Sequence, residues 1–148
     1  MLKGIPPILS PELVKVLMEM GHGDEIVIAD GNFPAASVAQ RLIRLDGHGT
    51  AEVLEAVLRF FPLDNFVPRP VALMAVVEGD PVGEPAIWRT YKDIVQTCEP
   101  HAADFEFLER CAFYERARQA YAVVATSEMT QYANVLLKKG LVKPDQTP

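Results

Sequence analysis

The first apolar stripe with helical spacing lies between Ser10 and Gly21. A hydroxyl residue followed by proline and glutamate is typical of a helix N-terminus, because the hydroxyl accepts from free amides and the acid faces the positive end of the helix dipole. Glycine can adopt the left-handed conformation at a helix end without steric cost. The pattern therefore predicts a helix over residues 11–20, with His22 in the turn that follows it.

The next segment is apolar without alternation. The run Glu25–Ala29 is short and rich in β-branched residues, as in strands that are buried on both faces of a parallel sheet. Asp30 follows the run, and Gly-Asn-Phe-Pro at 31–34 is typical of a loop. Since ligands of open α/β sheets bind beyond the carboxyl ends of the strands, Asp30 lies where a binding site is expected.

Helical and strand-like patterns alternate along the rest of the chain. They predict helices at 50–61, 84–97 and 112–120, and strands at 71–77, 105–107, 121–126 and 134–137. Thr50 is the expected cap of its helix, and Arg110 lies just before the last helix. The alternation indicates an α/β fold with a central parallel or mixed sheet flanked by helices. With 148 residues and no linker or repeat, one domain over residues 1–148 is expected.

Composition and charge narrow the range of partners. The 14 basic and 20 acidic residues leave a net charge of −6, which does not favour binding to nucleic acid or to an anionic membrane. All apolar runs are shorter than the roughly 20 residues of a transmembrane helix. The two cysteines lack metal-ligand spacing and no signal segment opens the chain, so a reducing, cytoplasmic setting is expected. The predicted partner is a small or neutral molecule.

Two glycines flank His22, which a histidine that only fills a core does not require. A free imidazole exchanges its proton near neutral pH, and a carboxylate beside it, such as that of Asp30, can orient the ring. Other chemistry is not indicated, because the chain has no phosphate-binding loop and no nucleophile elbow. His22, Asp24 and Asp30 do not have an established metal-ligand spacing. General acid/base chemistry without metal or cofactor is therefore expected.

Each candidate residue also has an ordinary structural explanation. A turn histidine can cover a helix end, and an aspartate before Gly-Asn can hydrogen-bond its own loop. Arg110 can be a solvated charge, and Tyr132 and Asn134 can form a tight turn before the last strand. On the residues alone, both interpretations stay open.

Four stretches of the chain resemble one family. They are LKGIPPILSPELVKVLMEMGHGDEIVIADGNFPA at 2–35, MAVVEGD at 74–80, RCAFYERARQAYAVVATSE at 110–128 and YANVLLKKG at 132–140. Together they extend over most of the chain and contain several uncommon strings. The sequence resembles the L-fucose mutarotase family, in the wider group that includes D-ribose pyranase.

This resemblance implies an α/β subunit with the ribose pyranase fold, assembled into pentamers that pair into decamers, with active sites in clefts between subunits. It implies an isomerase that interconverts the α and β anomers of free L-fucose without a cofactor. His22 matches the proton donor of the family. The substrate-binding positions of the family match Asp30, Arg110, Tyr132, Ala133 and Asn134.

Two positions bear on the choice of sugar. Ala133 occupies a position where some fucose-type members carry glycine, so its contact with the sugar is expected to come from the backbone. Arg110 occupies a position where the pyranases have histidine, which favours fucose over ribose. A D-ribose pyranase and a sugar-binding oligomer without catalytic activity stay open as alternatives.

Overall fold

Helices and strands alternate along the computed structural model, which describes residues 1–146. The helices are α1 (Pro11–Glu19), α2 (Ala35–Val38), α3 (Thr50–Leu58), α4 (Ala86–Cys98) and α5 (Arg110–Gln119). The strands are β1 (Glu25–Ala29), β2 (Leu42–Leu45), β3 (Val71–Met74), β4 (Glu106–Leu108), β5 (Ala122–Thr126) and β6 (Val135–Lys138). Short 3-10 turns occur at Pro100–Ala102 and Pro144–Gln146. None of the helices in this range has the length and apolar character that crossing a bilayer requires.

Within residues 1–146, the strands form one sheet in the order β2-β5-β1-β6-β3-β4. β6 is antiparallel to both of its neighbours, β1 and β3, whereas the other neighbouring strands are parallel. Returning the chain for another parallel strand requires a crossover of about a dozen residues or more. The connection between β5 and β6, at 127–134, is shorter. β6 therefore starts at the edge of the sheet where β5 ends and runs in the opposite direction. The predicted α/β fold with a mixed sheet is confirmed.

Helices cover both faces of the sheet. Leu13 of α1, Val57 of α3 and Tyr91 of α4 belong to the apolar core on one face. Val38 of α2 and Phe113 of α5 belong to the core on the other face. The two cores leave each central strand without a solvent-exposed face.

This layering explains the continuous apolar sequence of β1. Ile26 and Ile28 pack in the first core, and Val27 and Ala29 pack in the second. Successive side chains of a strand point to opposite faces, so a strand between two helical layers needs apolar residues at every position. The predicted bounds of β1 are confirmed.

The turn around His22 differs from the prediction in one glycine. α1 ends at Glu19, and Met20 is its extended C-terminal cap. The left-handed conformation occurs at Gly23, with φ 87°, and not at Gly21. The turn therefore has His22 and Gly23 at its centre and is closed by a 3.2 Å hydrogen bond from the Asp24 amide to the Gly21 carbonyl oxygen.

Other boundaries also differ from the predictions. Gly49, and not Thr50, occupies the N-cap of α3, where its amide donates to the Glu52 side chain at 2.7 Å. α5 already begins at Arg110, because the Glu109 side chain caps it. The strand predicted at 71–77 ends at residue 74, α4 begins at residue 86, and the short elements α2 and β2 were not predicted. Four-residue elements contain too few positions for a clear period.

A close backbone approach explains Gly140. A Cβ atom at this position would lie 2.5 Å from the Leu63 carbonyl oxygen and 3.0 Å from the Asp64 Cα. We expect Gly140→Ala to lower the free energy of unfolding by about 1–3 kcal/mol, because backbone must move to admit the methyl group. Urea unfolding measures this change. Gly21→Ala is the control, since its nearest contact would be an ordinary 3.7 Å, and equal stability of the two variants would contradict the explanation.

Candidate active site

One edge of the sheet combines the carboxyl ends of β1, β3, β4 and β5 with the start of β6. Asp30 follows β1, and Asn134 precedes β6. Because these strands are antiparallel neighbours, the two residues lie side by side, and the Asp30 amide donates to Asn134 Oδ1 at 2.8 Å. The fold therefore brings together two of the predicted site residues.

The Asp30 carboxyl is buried among hydrogen-bond donors. The residue is 6% exposed, and its Oδ1 accepts from the Asn32 amide at 3.0 Å. Burial raises the pKa of this carboxyl, and the backbone amides of Asn32, Phe33 and Ala133 with the Asn134 side chain oppose that rise only in part. The contribution of Ala133 comes from its backbone.

We expect Asp30→Asn to raise the free energy of unfolding at pH 7. The pKa of Asp30 is higher in the folded than in the unfolded chain, so ionisation costs stability once the pH exceeds the unfolded value. The cost is complete above the folded pKa and absent below the ordinary aspartate pKa of about 3.9. A neutral amide removes it, so the gain over the wild type should vanish as the pH falls below about 4.

Urea unfolding at pH 7 and at low pH checks this expectation. Asp46→Asn is the control, because the hydrogen bond from Arg44 holds the pKa of Asp46 below its ordinary value and its removal should not stabilise the protein at pH 7. A gain for Asp30→Asn that is independent of pH would contradict the assignment.

Tyr132 begins the turn that leads into β6. Its φ of 58° is the one left-handed conformation at a non-glycine residue in the part of the chain that the structure describes. Its hydroxyl donates to Asp80 Oδ2 at 2.6 Å and accepts from the Val77 amide at 3.3 Å. The hydrogen bond raises the pKa of Tyr132 and lowers that of Asp80. Tyr132 thus connects the loop after β3 to the start of β6.

A cleft of about 230 Å³ opens beside these groups. Its polar lining comes from Asp30, Asn32, Asp80, Gln131, Tyr132 and Asn134, and its apolar lining from Phe33, Met74 and Tyr114. The rings of Phe33 and Tyr114 are nearly parallel, with centroids 5.2 Å apart and an interplanar angle of 8°. Convergent polar groups beside an apolar, aromatic wall are typical of small-molecule sites. We call this feature the Asp30 cleft.

Arg110 lies near this cleft without belonging to its lining. It is the first residue of α5 and is exposed to solvent. Its positive charge acts against the upward shift in the pKa of Tyr132, which places the guanidinium within electrostatic range of the tyrosine. Arg110 is therefore an exposed cation near Tyr132, which lines the cleft.

His22 has a carboxylate partner, which is Asp64. The Nε2 atom of His22 lies 3.2 Å from Asp64 Oδ1, and the ring of Phe66 lies 5.3 Å from the imidazole ring, between centroids. The His22 side chain is 39% exposed, and that of Asp64 is 4% exposed. Burial would raise the pKa of Asp64, but the Phe66 amide and the His22 side chain outweigh it and hold that pKa below its ordinary value. This arrangement presents an oriented imidazole to solvent.

His22 and Asp30 lie at opposite ends of β1. The strand has five residues, and at roughly 3.3 Å per residue its length separates the two by about 16 Å. The expectation that His22 lies beside Asp30 is therefore wrong within one subunit. The predicted site is divided into two parts, the Asp30 cleft at one edge of the sheet and the His22–Asp64 pair at the other.

Asp64, Asp80 and Tyr114 are among the residues at these two places that sequence reasoning missed. Asp64 and Asp80 lie in loops, where an aspartate ordinarily serves a turn, and Tyr114 lies on an amphipathic helix, where an aromatic ordinarily serves the core. A signal was available for Asp80, because it closes the string MAVVEGD that carries part of the family resemblance. No local signal relates Asp64 to His22 across 42 positions.

Within residues 1–146, no group of three or more histidine, cysteine, aspartate or glutamate residues is arranged to hold a metal ion. His22 has one carboxylate at hydrogen-bond distance. Asp24 accepts from the Gly21 amide at 2.7 Å and so stabilises the turn that carries the histidine. The geometry therefore gives His22 one orienting carboxylate, that of Asp64.

Known proteins resemble this chain over nearly its whole length. Residues 3–142 match the RbsD / FucU transport protein family. The L-fucose mutarotase of Actinobacillus pleuropneumoniae is 46% identical, and that of Glaesserella parasuis is 49% identical, each over 141 residues. These matches cover 95% of this chain and 97% and 96% of the respective relatives.

Solved structures extend the comparison to the fold. The fucose mutarotase of Streptococcus pneumoniae, crystallised in complex with L-fucose, is 48% identical, covers 96% of this chain and 100% of its own, and superposes with a TM-score of 0.91. Bacillus subtilis RbsD complexed with D-ribose is 22% identical and covers 91% of this chain and 95% of its own. Its TM-score of 0.70 shows a common fold.

The family match begins before α1 and ends after β6, so it includes both the Asp30 cleft and the His22–Asp64 pair. Identities of 46–49% over almost the whole chain exceed what a shared fold alone requires. The resemblance to the L-fucose mutarotase group is confirmed. The chain belongs to the RbsD / FucU family.

Proposed function

We propose that this chain is an L-fucose mutarotase, an isomerase that interconverts the α and β anomers of L-fucose. One observation carries the proposal: the Asp30 cleft occurs in a chain that is 48% identical to a fucose mutarotase crystallised with L-fucose. The cleft combines a buried carboxyl with neighbouring amide and phenol groups, which suits a neutral ligand with several hydroxyl groups.

Anomer exchange needs proton transfers and no redox step. The bond between C1 and the ring oxygen breaks as that oxygen gains a proton, and the anomeric hydroxyl loses its proton as C1 becomes an aldehyde. Rotation and reclosure on the other face of C1 give the second anomer and return both protons. A positioned acid or base contributes about 10²–10⁴-fold to such a step, so no cofactor is needed.

Some of the site residues transfer protons, and the others bind the sugar. His22 is the proton donor, and Asp64 orients its imidazole through the 3.2 Å contact. The buried Asp30 carboxyl accepts hydrogen bonds from sugar hydroxyls, and it is the candidate acceptor for the anomeric proton. The remaining substrate-binding residues are Arg110, Tyr132, Ala133 and Asn134, of which Ala133 acts through its backbone.

The two parts of the site must come from different subunits. About 16 Å of strand between His22 and Asp30 exceeds the width of a monosaccharide, whereas a heterologous contact can bring the His22 side of one subunit to the cleft of its neighbour. Such head-to-tail contacts close into rings. We propose that the rings are pentamers that pair into a homodecamer, as the resemblance to the L-fucose mutarotase family implies. We further propose that the protein is cytoplasmic and that its residues 1–148 are one domain.

Nuclear magnetic resonance tests the activity directly. Saturation transfer between the α and β anomeric protons of L-fucose should become faster in the presence of the protein. An unchanged exchange rate would reject the mutarotase. Binding of L-fucose in calorimetry without faster exchange would indicate a non-catalytic sugar-binding oligomer instead.

A second candidate substrate is D-ribose. The RbsD of B. subtilis that shares this fold was crystallised with D-ribose, and the same experiment on ribose measures exchange of its pyranose and furanose forms. Arg110, which replaces the histidine of the pyranases, favours fucose. Faster exchange for ribose than for fucose at equal concentration would reverse this preference.

A further inference from the structure

Two side chains of α4 hold the turn that leads into β6. The indole Nε1 of Trp88 donates to the Tyr132 carbonyl oxygen at 2.8 Å, and the hydroxyl of Tyr91 donates to the Ala133 carbonyl oxygen at 2.7 Å. Residues three positions apart lie on the same face of a helix. One helix face therefore holds two successive carbonyls of the predicted substrate-binding turn.

This turn needs external support. Tyr132 has φ 58°, and a non-glycine residue in the left-handed region is less stable than in the ordinary regions and persists where its surroundings impose it. Here the support comes from three hydrogen bonds. Trp88 and Tyr91 of α4 donate to carbonyl oxygens of the turn, and the Tyr132 hydroxyl donates to Asp80. Their hydrogen bonds together determine the direction of the backbone.

The donor role of Tyr91 follows from its environment. The residue is fully buried, and burial raises its pKa well above the ordinary value, so the phenol keeps its proton. A carbonyl oxygen can only accept, so this proton goes to Ala133. The Thr50 hydroxyl contacts the Tyr91 oxygen from the other side and lies 3.3 Å from the Glu128 carboxylate. Tyr91 is thus held in place for its hydrogen bond to the turn.

We propose that Trp88 and Tyr91 are positioning residues for sugar binding: from α4 they hold the Tyr132–Ala133 backbone so that Tyr132 lines the Asp30 cleft and the Ala133 amide donates to the Asp30 carboxyl. Neither residue lines the cleft. The inference rests on the proposed function, because it assigns these residues to binding of the same sugar. Ala133 is also fully buried, so its carbonyl has no access to water if Tyr91 is lost.

Tyr91→Phe tests the proposal with Thr50→Val as the matched control. Both substitutions remove the Thr50–Tyr91 hydrogen bond in the buried network, but only Tyr91→Phe removes the donor to the Ala133 carbonyl. We expect Tyr91→Phe to raise KM for L-fucose about tenfold, because a buried carbonyl loses its partner and the turn shifts, with kcat little changed. Thr50→Val should change the melting temperature without changing KM.

Trp88 provides a readout that does not depend on activity. It is the only tryptophan of the chain, so the protein's indole emission reports on its hydrogen bond to the Tyr132 carbonyl. If the turn shifts in Tyr91→Phe, the emission should move to longer wavelength, whereas Thr50→Val should keep the wild-type spectrum. Should Tyr91→Phe fail to fold, Trp88→Phe, which alters a half-buried residue, is expected to raise KM in the same way.

Three outcomes are informative. An unchanged KM in Tyr91→Phe would overturn the proposal, and so would equal effects of Tyr91→Phe and Thr50→Val on KM and emission, which indicate a purely structural role. If the wild type does not accelerate fucose exchange, the proposed function itself fails. In that case the emission spectra still decide whether Tyr91 holds the turn.

Discussion

Replacing His22 by alanine should slow the exchange of L-fucose anomers by about 10²–10⁴-fold, the usual contribution of a positioned general acid or base. His22 is half-exposed beside a buried carboxylate, so its removal takes away the proton donor without opening a core cavity. Saturation transfer measures the rate. The melting temperature should fall modestly, because the buried Asp64 carboxylate keeps its hydrogen bond from the Phe66 amide but loses the imidazole. The loss should appear mainly in kcat.

His48→Ala is the matched control for this experiment. Its Nδ1 lies 3.2 Å from the Glu52 carboxylate, and its side chain is 41% exposed. It therefore reproduces the imidazole–carboxylate contact and the exposure of the His22 ring, although its partner carboxylate is exposed and that of His22 is buried. It should exchange fucose like the wild type. If both histidine variants lose activity alike, or if neither does, His22 is not the proton donor. Asp64→Asn, which weakens the orientation of the ring, should give a smaller loss than His22→Ala.

Mixing two inactive variants should restore activity if each site is shared between subunits. His22→Ala keeps an intact Asp30 cleft, and Asp30→Asn keeps an intact His22–Asp64 pair. In a random one-to-one assembly about a quarter of the contacts combine the two intact parts, so about a quarter of the wild-type rate should return. Co-expression with two different affinity tags, followed by purification over both, isolates the mixed oligomers for saturation transfer.

The control for mixing uses two variants that are damaged in the same part of the site. In a mixture of His22→Ala and Asp64→Asn, no subunit has an intact His22–Asp64 pair. The activity of this mixture should therefore not exceed that of Asp64→Asn at the same dilution. Mixed oligomers of His22→Ala and Asp30→Asn that stay inactive would mean that His22 does not serve a neighbouring cleft. Light scattering on the same samples gives the oligomer size.

Elements with a strong local pattern could be predicted from the sequence. β1 is continuous in β-branched residues, because helices cover both of its faces, and its bounds were predicted correctly. α2 and β2 have four residues each and were missed, since so few positions show no period. Thr50 has the chemistry of a cap, yet its hydroxyl is used by Tyr91 in the core, and Gly49 caps the helix instead.

The site was harder to predict than the fold, for a physical reason. Asp30 and Asn134 lie 104 positions apart and meet because β6 pairs with β1, which no local pattern reveals. The predicted partner of His22 was wrong. The five residues of β1 separate Asp30 from the histidine, whereas the loop after α3 places Asp64 within hydrogen-bond distance of it. Proximity in sequence and proximity in space differ most where a strand separates two loops.

The position of β6 has a consequence for folding. The last strand along the chain lies in the middle of the sheet, between β1 and β3, and joins the part β2-β5-β1 to the part β3-β4. Until this strand is synthesised and inserted, the two parts have no common hydrogen-bonded partner, and its pairing with β1 joins residues that are further apart along the chain than those of any other strand pair in this sheet. Contacts of this kind slow folding because a long loop must close first. Completion of the sheet and placement of Asn134 beside Asp30 are therefore one event.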